Sequence, residues 1–178
     1  MRIIGGKHRG RKLKSFEGRD IRPTSDRAKE ALFNILGQSV VGCKFLDLCS
    51  GSGAIGIEAY SRGAAEVTFV DGAKDSIMLT KENAAAVGLS GKFEFKKDVD
   101  FVKVTSNNYD IIFYDPPYLN GNLISVLQTV SARKLLTEGG LFIYERSSDA
   151  KAIIVDGFEL KSSRKYGFAT FDFYEEIL

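Results

Sequence analysis

Apolar residues gather in short continuous runs: Phe45-Leu46-Asp47-Leu48, Val67-Thr68-Phe69-Val70, Phe93-Glu94-Phe95, Ile111-Ile112-Phe113-Tyr114 and Leu141-Phe142-Ile143-Tyr144. A strand with one wet face alternates apolar and polar positions, so continuous runs predict strands covered on both faces. Between them the period changes. Leu123, Val126, Leu127 and Val130 recur at i, i+3, i+4, i+7, a helix that Gly139-Gly140 is expected to end. The Ala-rich stretch from Asp75 to Val87 predicts another helix, with a weaker stripe. Upstream, Ala28, Ala31, Leu32, Ile35 and Leu36 form one helical face, with Ser25 or Asp26 as its cap. Alternation of strand and helix predicts an α/β fold with a mostly parallel sheet and right-handed crossovers. The two ends depart from this. Ile153-Ile154-Val155 and Ala169 to Tyr174 read as late strands joined through polar residues Lys161 to Gly167, an antiparallel C-terminal edge. The first fifteen residues, with Gly5-Gly6 and Gly10, read as a small hairpin outside the main sheet. A division into an N-terminal extension, 1–24, and a main domain, 25–178, follows, within one domain overall.

Composition narrows the class. No run approaches the ~20 apolar residues needed to span a bilayer. The basic start lacks the apolar core and cleavage site of a signal peptide, so a cytoplasmic protein without membrane contact is expected. Cys43 and Cys49 are too few for a disulfide framework. His8 is the one histidine, which excludes a histidine triad or cluster and leaves no metal to be expected. Net charge is +2, yet Arg2, Lys7, Arg9, Arg11, Lys12 and Lys14 stand in the first fourteen residues with no acid among them, leaving −4 on the rest. A basic arm on a mildly acidic body suits phosphate contact.

Candidate chemistry begins at Asp47-Leu48-Cys49-Ser50-Gly51-Ser52-Gly53-Ala54-Ile55-Gly56. This segment follows a strand and opens a helix, and its glycines permit a sharp turn and close approach of a ligand. Asp71 ends the next strand, twenty residues after Gly51, where a carboxylate can accept from both ribose hydroxyls. A nicotinamide or flavin cofactor and S-adenosyl-L-methionine both fit so far. Asp47 favours the second, because its charge suits an ammonium group and opposes a pyrophosphate. Asp98, after the third strand, is placed to accept from an adenine amine.

Asp115-Pro116-Pro117-Tyr118 holds two of the three prolines and directly follows a hydrophobic strand. Proline fixes φ and donates no hydrogen bond, so nearby carbonyls point in set directions. The Asp115 carboxylate and the Pro116 carbonyl can accept the two N–H groups of an exocyclic base amine, while Tyr118 stacks on the flipped base. Such an amine is a weak nucleophile, and drawing on its protons returns electron density to nitrogen. Alignment at about 3–3.5 Å supplies the remainder, and Asp115 can take the departing proton. Cys49 belongs to the turn and is no nucleophile.

These residues, together with Met1-Arg2-Ile3-Ile4-Gly5-Gly6, Arg9-Gly10-Arg11-Lys12-Leu13, Arg22-Pro23-Thr24-Ser25-Asp26-Arg27, Glu30 to Leu36 and Ser61-Arg62-Gly63-Ala64, resemble the bacterial small-subunit (16S) ribosomal RNA guanine-N2 methyltransferases of the RsmD type. The resemblance implies a Rossmann-like class I S-adenosylmethionine-dependent methyltransferase with a seven-stranded sheet and an N-terminal extension. It implies Asp47, Ser50, Gly51, Ser52, Gly53, Asp71, Gly72, Asp98, Val99 and Asn34 around the donor. It places the Asp115 tetrapeptide on the base. Arg2, Lys7, His8, Arg9, Arg11, Lys12, Arg22, Thr24 and Arg27 would lie on small-subunit RNA, either naked or in an assembling 30S particle. The family usually has an aromatic and a small residue at Cys49-Ser50, and often Glu at Asp71. The other readings are DNA adenine-N6 methylation, a non-catalytic RNA-binding assembly factor, and an oxidoreductase.

Overall fold

The computed structural model describes residues 1–17, 24–117 and 122–177. Seven strands, β1 (Lys44–Leu48), β2 (Glu66–Asp71), β3 (Lys92–Phe95), β4 (Tyr109–Tyr114), β5 (Leu136–Ser147), β6 (Phe158–Tyr166) and β7 (Ala169–Glu176), form one sheet in the order β3-β2-β1-β4-β5-β7-β6. Pairing is parallel from β3 to β5, and β7 runs antiparallel to both β5 and β6. The antiparallel strand thus lies second from the edge, and β6 takes the edge itself.

The continuous apolar runs are explained by two core layers. Phe45, Phe113 and Ile143 face one layer with α1 (Asp26–Leu36), α2 (Ala54–Ser61) and α3 (Lys74–Ala86). Their neighbours Leu46, Tyr114 and Phe142 face the other, with α4 (Asp98–Val104) and α5 (Leu123–Ala132). Successive side chains point to opposite faces, so a strand buried on both sides has no polar phase. Ser25 caps α1, its Oγ accepting from the Ala28 N–H at 3.1 Å. The i, i+3, i+4 stripe of α5 is buried as predicted. Among the described residues no helix is long and apolar enough to cross a membrane.

Three expectations are corrected. Gly139-Gly140 does not end α5: Lys134, at φ 53°, lies just beyond it, and the glycines form a bulge inside β5, where Tyr109 pairs with Leu136 but Ile111 pairs with Leu141. Ile153-Ile154-Val155 is not a strand. Val155 plugs the second core layer, and the Ile153 carbonyl accepts from the Tyr174 hydroxyl at 2.7 Å. The strand is the polar stretch ending at Tyr166, which pairs with β7 from Phe158 to Tyr166 with one register shift at Lys161. Among the described residues its outer edge faces no partner strand, so charged side chains are tolerated there and also block edge-to-edge pairing. The short helix α4 went unpredicted, since its seven residues are too few to show a period.

Candidate active site

The order of strands reverses between β1 and β4, and a crevice opens there at their carboxyl ends. The turn after β1 is tied down on all sides. The Cys49 and Ser50 N–H groups both donate to the Val70 carbonyl, at 2.8 and 2.9 Å. The Thr80 hydroxyl donates to Gly51 O at 3.0 Å and the Asn83 amide to Ser52 O at 2.9 Å. Cys49 adopts φ 70°, a left-handed conformation rare outside glycine. Gly53 has φ 79° and presses on Thr80, where an added Cβ would lie 2.7 Å from the methyl carbon. At Gly56 a Cβ would lie 2.4 Å from the Phe69 ring, so this glycine lets α2 close onto β2.

Two acids brace this turn. Asp71 accepts from Gly51 N–H at 2.9 Å on one oxygen and from Ala73 N–H at 2.8 Å on the other. Asp47 is 2% exposed and accepts from Gly56 N–H at 2.9 Å. Burial pushes its carboxyl up to about 8, against the pull of the Gly56 N–H, with Asp71 and Glu145 adding repulsion. The buried Ser50 hydroxyl has no hydrogen-bond partner among the described residues. Burial also pushes the Cys49 thiol far up, which agrees with a turn residue and not a thiolate.

Asp115 extends β4 by one residue, its N–H donating to Leu48 O at 3.3 Å, and Pro116 and Pro117 then end the ladder because they have no N–H to give. Tyr114 pairs with Tyr144, so Asp115, just past the end of β4, stands level with Glu145 on β5. Burial holds the Asp115 carboxyl well above the usual carboxylate range, and Glu145 and then Asp47 push it further. Glu145 is 3% exposed, accepts from the Thr24 hydroxyl at 2.6 Å, and is raised by burial to about 7 despite that bond. The nearest basic residue in sequence, Arg146, is committed to Asp172 at 2.6 Å. Among the described residues no cation pairs with Asp47, Asp115 or Glu145.

A cavity of about 190 Å³ lies between these groups. Asp47, Cys49, Ser50, Gly51 and Ser52 form one wall, Phe113 and Asp115 another, and Met1, Ser15, Phe16 and Thr24 cover it. Six predicted residues therefore meet at one place: Asp47, Ser50, Gly51, Ser52, Thr24 and Asp115. Thr24 reaches it with its hydroxyl turned inward to Glu145, not outward. Asp98 and Val99 open α4; Asp98 accepts from the Tyr114 hydroxyl at 2.5 Å, and Val99 packs on the second core layer. Gly72 is exposed beside Asp71. Asn34 is exposed on α1 and takes no part in the cavity wall, because α1 turns Ala28, Lys29, Leu32, Phe33 and Leu36 inward. Tyr118 and Arg22 lie outside the described residues. Sequence reading missed Phe16 and Glu145; the latter's signal was an acid continuing the run Leu141 to Tyr144.

The basic arm is a folded hairpin. Ile3 N–H donates to Arg11 O at 2.9 Å and Leu13 N–H to Met1 O at 3.1 Å, while Ile3 and Leu13 enter the first core layer. Glu58, fully buried on α2, accepts from the N–H groups of Ile4 and Gly5 at 2.9 and 2.8 Å. His8 stacks on Tyr60 at 5.7 Å, turned to the protein, and Arg2 pairs with Asp26 at 3.3 Å. Lys7, Arg9, Arg11 and Lys12 remain exposed.

An antiparallel β7 inserted between β5 and β6 sets this sheet apart from the wholly parallel dinucleotide-binding arrangement. It defines the Rossmann-like class I S-adenosylmethionine-dependent methyltransferase fold, and the solved Escherichia coli protein yhhF shares it with a TM-score of 0.88 at 28% identity over 99% of this chain and 97% of that one. Within that class, the chain belongs to the family described as Conserved hypothetical protein 95, whose profile matches residues 1–175. It is 31% identical to the ribosomal RNA small subunit methyltransferase D of Haemophilus influenzae, over 98% of this chain and 93% of that protein. It is 34% identical to the protein of the same name from Escherichia coli K12, over 82% of this chain and 74% of that one.

Proposed function

We propose that this chain methylates the exocyclic N2 amine of a guanine in small-subunit ribosomal RNA, with S-adenosyl-L-methionine as donor. The observation that carries the reading is the meeting, in one cavity, of a glycine turn and of acids that no cation among the described residues neutralises. The residues fit the donor: an orphaned buried hydroxyl at Ser50 and an acid at Asp47 suit its polar, ammonium-bearing end, and Asp71 suits a ribose. When bound, that donor supplies an electrophilic methyl carbon on a sulfonium.

Asp115 and the Pro116 carbonyl accept the amine's two N–H groups, which turns the nitrogen lone pair outward. As the N–C bond forms, the methyl carbon's bond to sulfur breaks and its electron pair stays on sulfur, leaving a neutral thioether; the nitrogen becomes cationic and releases one proton. Asp115 takes it, because a carboxyl raised by burial and by Glu145 is a stronger base than an ordinary one. Burial is the main source of that basicity, and Glu145, one strand over, adds to it without lining the cavity. Guanine suits the acceptor-rich end: its amine sits beside a second donor, N1–H, whereas adenine presents an acceptor there. Phe113 and Phe16 exclude water from the walls.

Labelled methyl transfer to small-subunit RNA and to 30S particles, followed by mass-spectrometric mapping, tests this. Label on guanine N2 is expected. Label on DNA adenine instead, or none under saturating donor, overturns it.

A further inference from the structure

We propose that the tip of the β6–β7 hairpin, with Arg164, Lys165 and Phe168, is a second RNA-docking element beside the active site, separate from the N-terminal arm. The inference rests on the reading of RNA as substrate.

Position comes first. Ser147, at the carboxyl end of β5, pairs with Ala169, and Ala169 pairs with Tyr166. The tip therefore stands at the same edge of the sheet from which the Cys49–Gly53 turn, Asp71 and Asp115 emerge. The loop is two residues, Gly167 at φ +62° and then Phe168, which has no positive φ; this matches a type II′ turn with glycine first. Such a turn is rigid, and the Ser148 N–H fixes it further by donating to Phe168 O at 2.9 Å. It presents Phe168 with 75% of its surface exposed.

Charge comes second. A cavity of about 250 Å³ separates the hairpin from the start of α1, lined by Ser25, Arg27, Ala28, Lys165, Tyr166 and Gly167. Other bases on these two elements are neutralised: Lys161, lower on β6, pairs with Glu159 at 3.1 Å, and Lys29 on α1 with Glu58 at 3.5 Å; in the adjoining arm Arg2 is held by Asp26. Arg27, Arg164 and Lys165 are exposed and have no ion pair among the described residues. Of the acids on α1, Asp26 is held by Arg2, and Glu30 is exposed a turn further on. Continuity comes third: Thr24 covers the active-site cavity and its neighbour Ser25 lines this one, so the two openings lie one residue apart. Unpaired bases around an exposed aromatic ring are the elements that hold single-stranded RNA, phosphates on the cations and a base on the ring.

The test uses the full chain with Arg164→Gln/Lys165→Gln and, separately, Phe168→Ala. Affinity for a small-subunit RNA fragment and for 30S particles is measured over a range of salt, with donor affinity and thermal unfolding as checks on folding. The double variant should lower the salt slope by roughly 1–2, at about 0.7–0.9 per phosphate contact. Phe168→Ala should weaken binding roughly tenfold with the slope unchanged. Variants that fold and bind RNA like the wild type overturn this surface alone. Loss of affinity for particles but not for naked RNA assigns the surface to a ribosomal protein and overturns the RNA assignment. A wild type that binds no RNA overturns the proposed function and this inference with it.

Discussion

Glu58 and the acids around Asp115 are both buried, and they are treated oppositely. Glu58 receives two backbone N–H groups, the Arg62 guanidinium at 2.8 Å and the Lys29 ammonium at 3.5 Å. Lys29 is itself 1% exposed; burial lowers it and Glu58 pulls it back. Asp47, Asp115 and Glu145 receive from the described protein one N–H of Gly56 and one hydroxyl of Thr24, and no cation. A buried carboxylate supplied with donors fastens a structure together; one left with unmet charge is prepared for donors that arrive from outside. Under the proposed function those donors are the ammonium of the methyl donor and the amine of the base. The first site anchors the hairpin that roofs the cavity, and the second is the cavity.

Breaking the second site should have the largest effect on turnover. Asp115→Ala should lower methyl transfer about 10²–10⁴-fold while donor affinity, read by calorimetry, changes little. Breaking the first should act on stability. Glu58→Ala strands Lys29 in the core and should destabilise the protein by about 3–5 kcal/mol, seen in chemical denaturation. Glu145→Gln sharpens the contrast, because removing a buried acid that no cation among the described residues balances should raise the melting temperature of the donor-free protein at pH 8 while reducing turnover.

The same acids give stability a pH dependence of definite sign. Glu145 and Asp47 are raised to about 7 and about 8 in the folded chain, above ordinary carboxyl values. Below pH 4 both states hold the protons and nothing is lost. Between roughly pH 4 and 8 the unfolded chain releases protons that the folded chain keeps, so stability should fall as pH rises, then level off. Thermal unfolding across pH 5–9 checks this, and Asp47→Asn should flatten the slope. The smallest effect belongs to the arm. Neutralising Arg9, Arg11 and Lys12 should weaken RNA binding and flatten its salt dependence by about 0.7–0.9 for each phosphate that these side chains neutralise in the wild type.

Most of the sheet was legible because its two-sided burial leaves continuous apolar runs, and the glycine turn because a strand-turn-helix corner constrains composition strongly. Asp115 was legible through its prolines. β6 was not: an edge strand has little buried area to pattern, so Lys161 to Tyr166 looked like a loop while Ile153 to Val155 looked like a strand. Glu145 and Glu58 were hidden for another reason. Their importance comes from partners far along the chain, Thr24 and Ile4, and no local period records a pairing of that kind.

Donor affinity as a function of pH tests most directly whether the cavity acids are receptors for an incoming cation. Calorimetric titration of S-adenosyl-L-methionine should show affinity rising by up to about tenfold per unit from pH 6 toward 8, as Asp47 ionises, and falling once the donor's ammonium loses its proton. Asp47→Asn should remove most of the rising limb. A wild-type affinity that stays flat from pH 6 to 7.5, or a variant that keeps the same rise, would contradict the account.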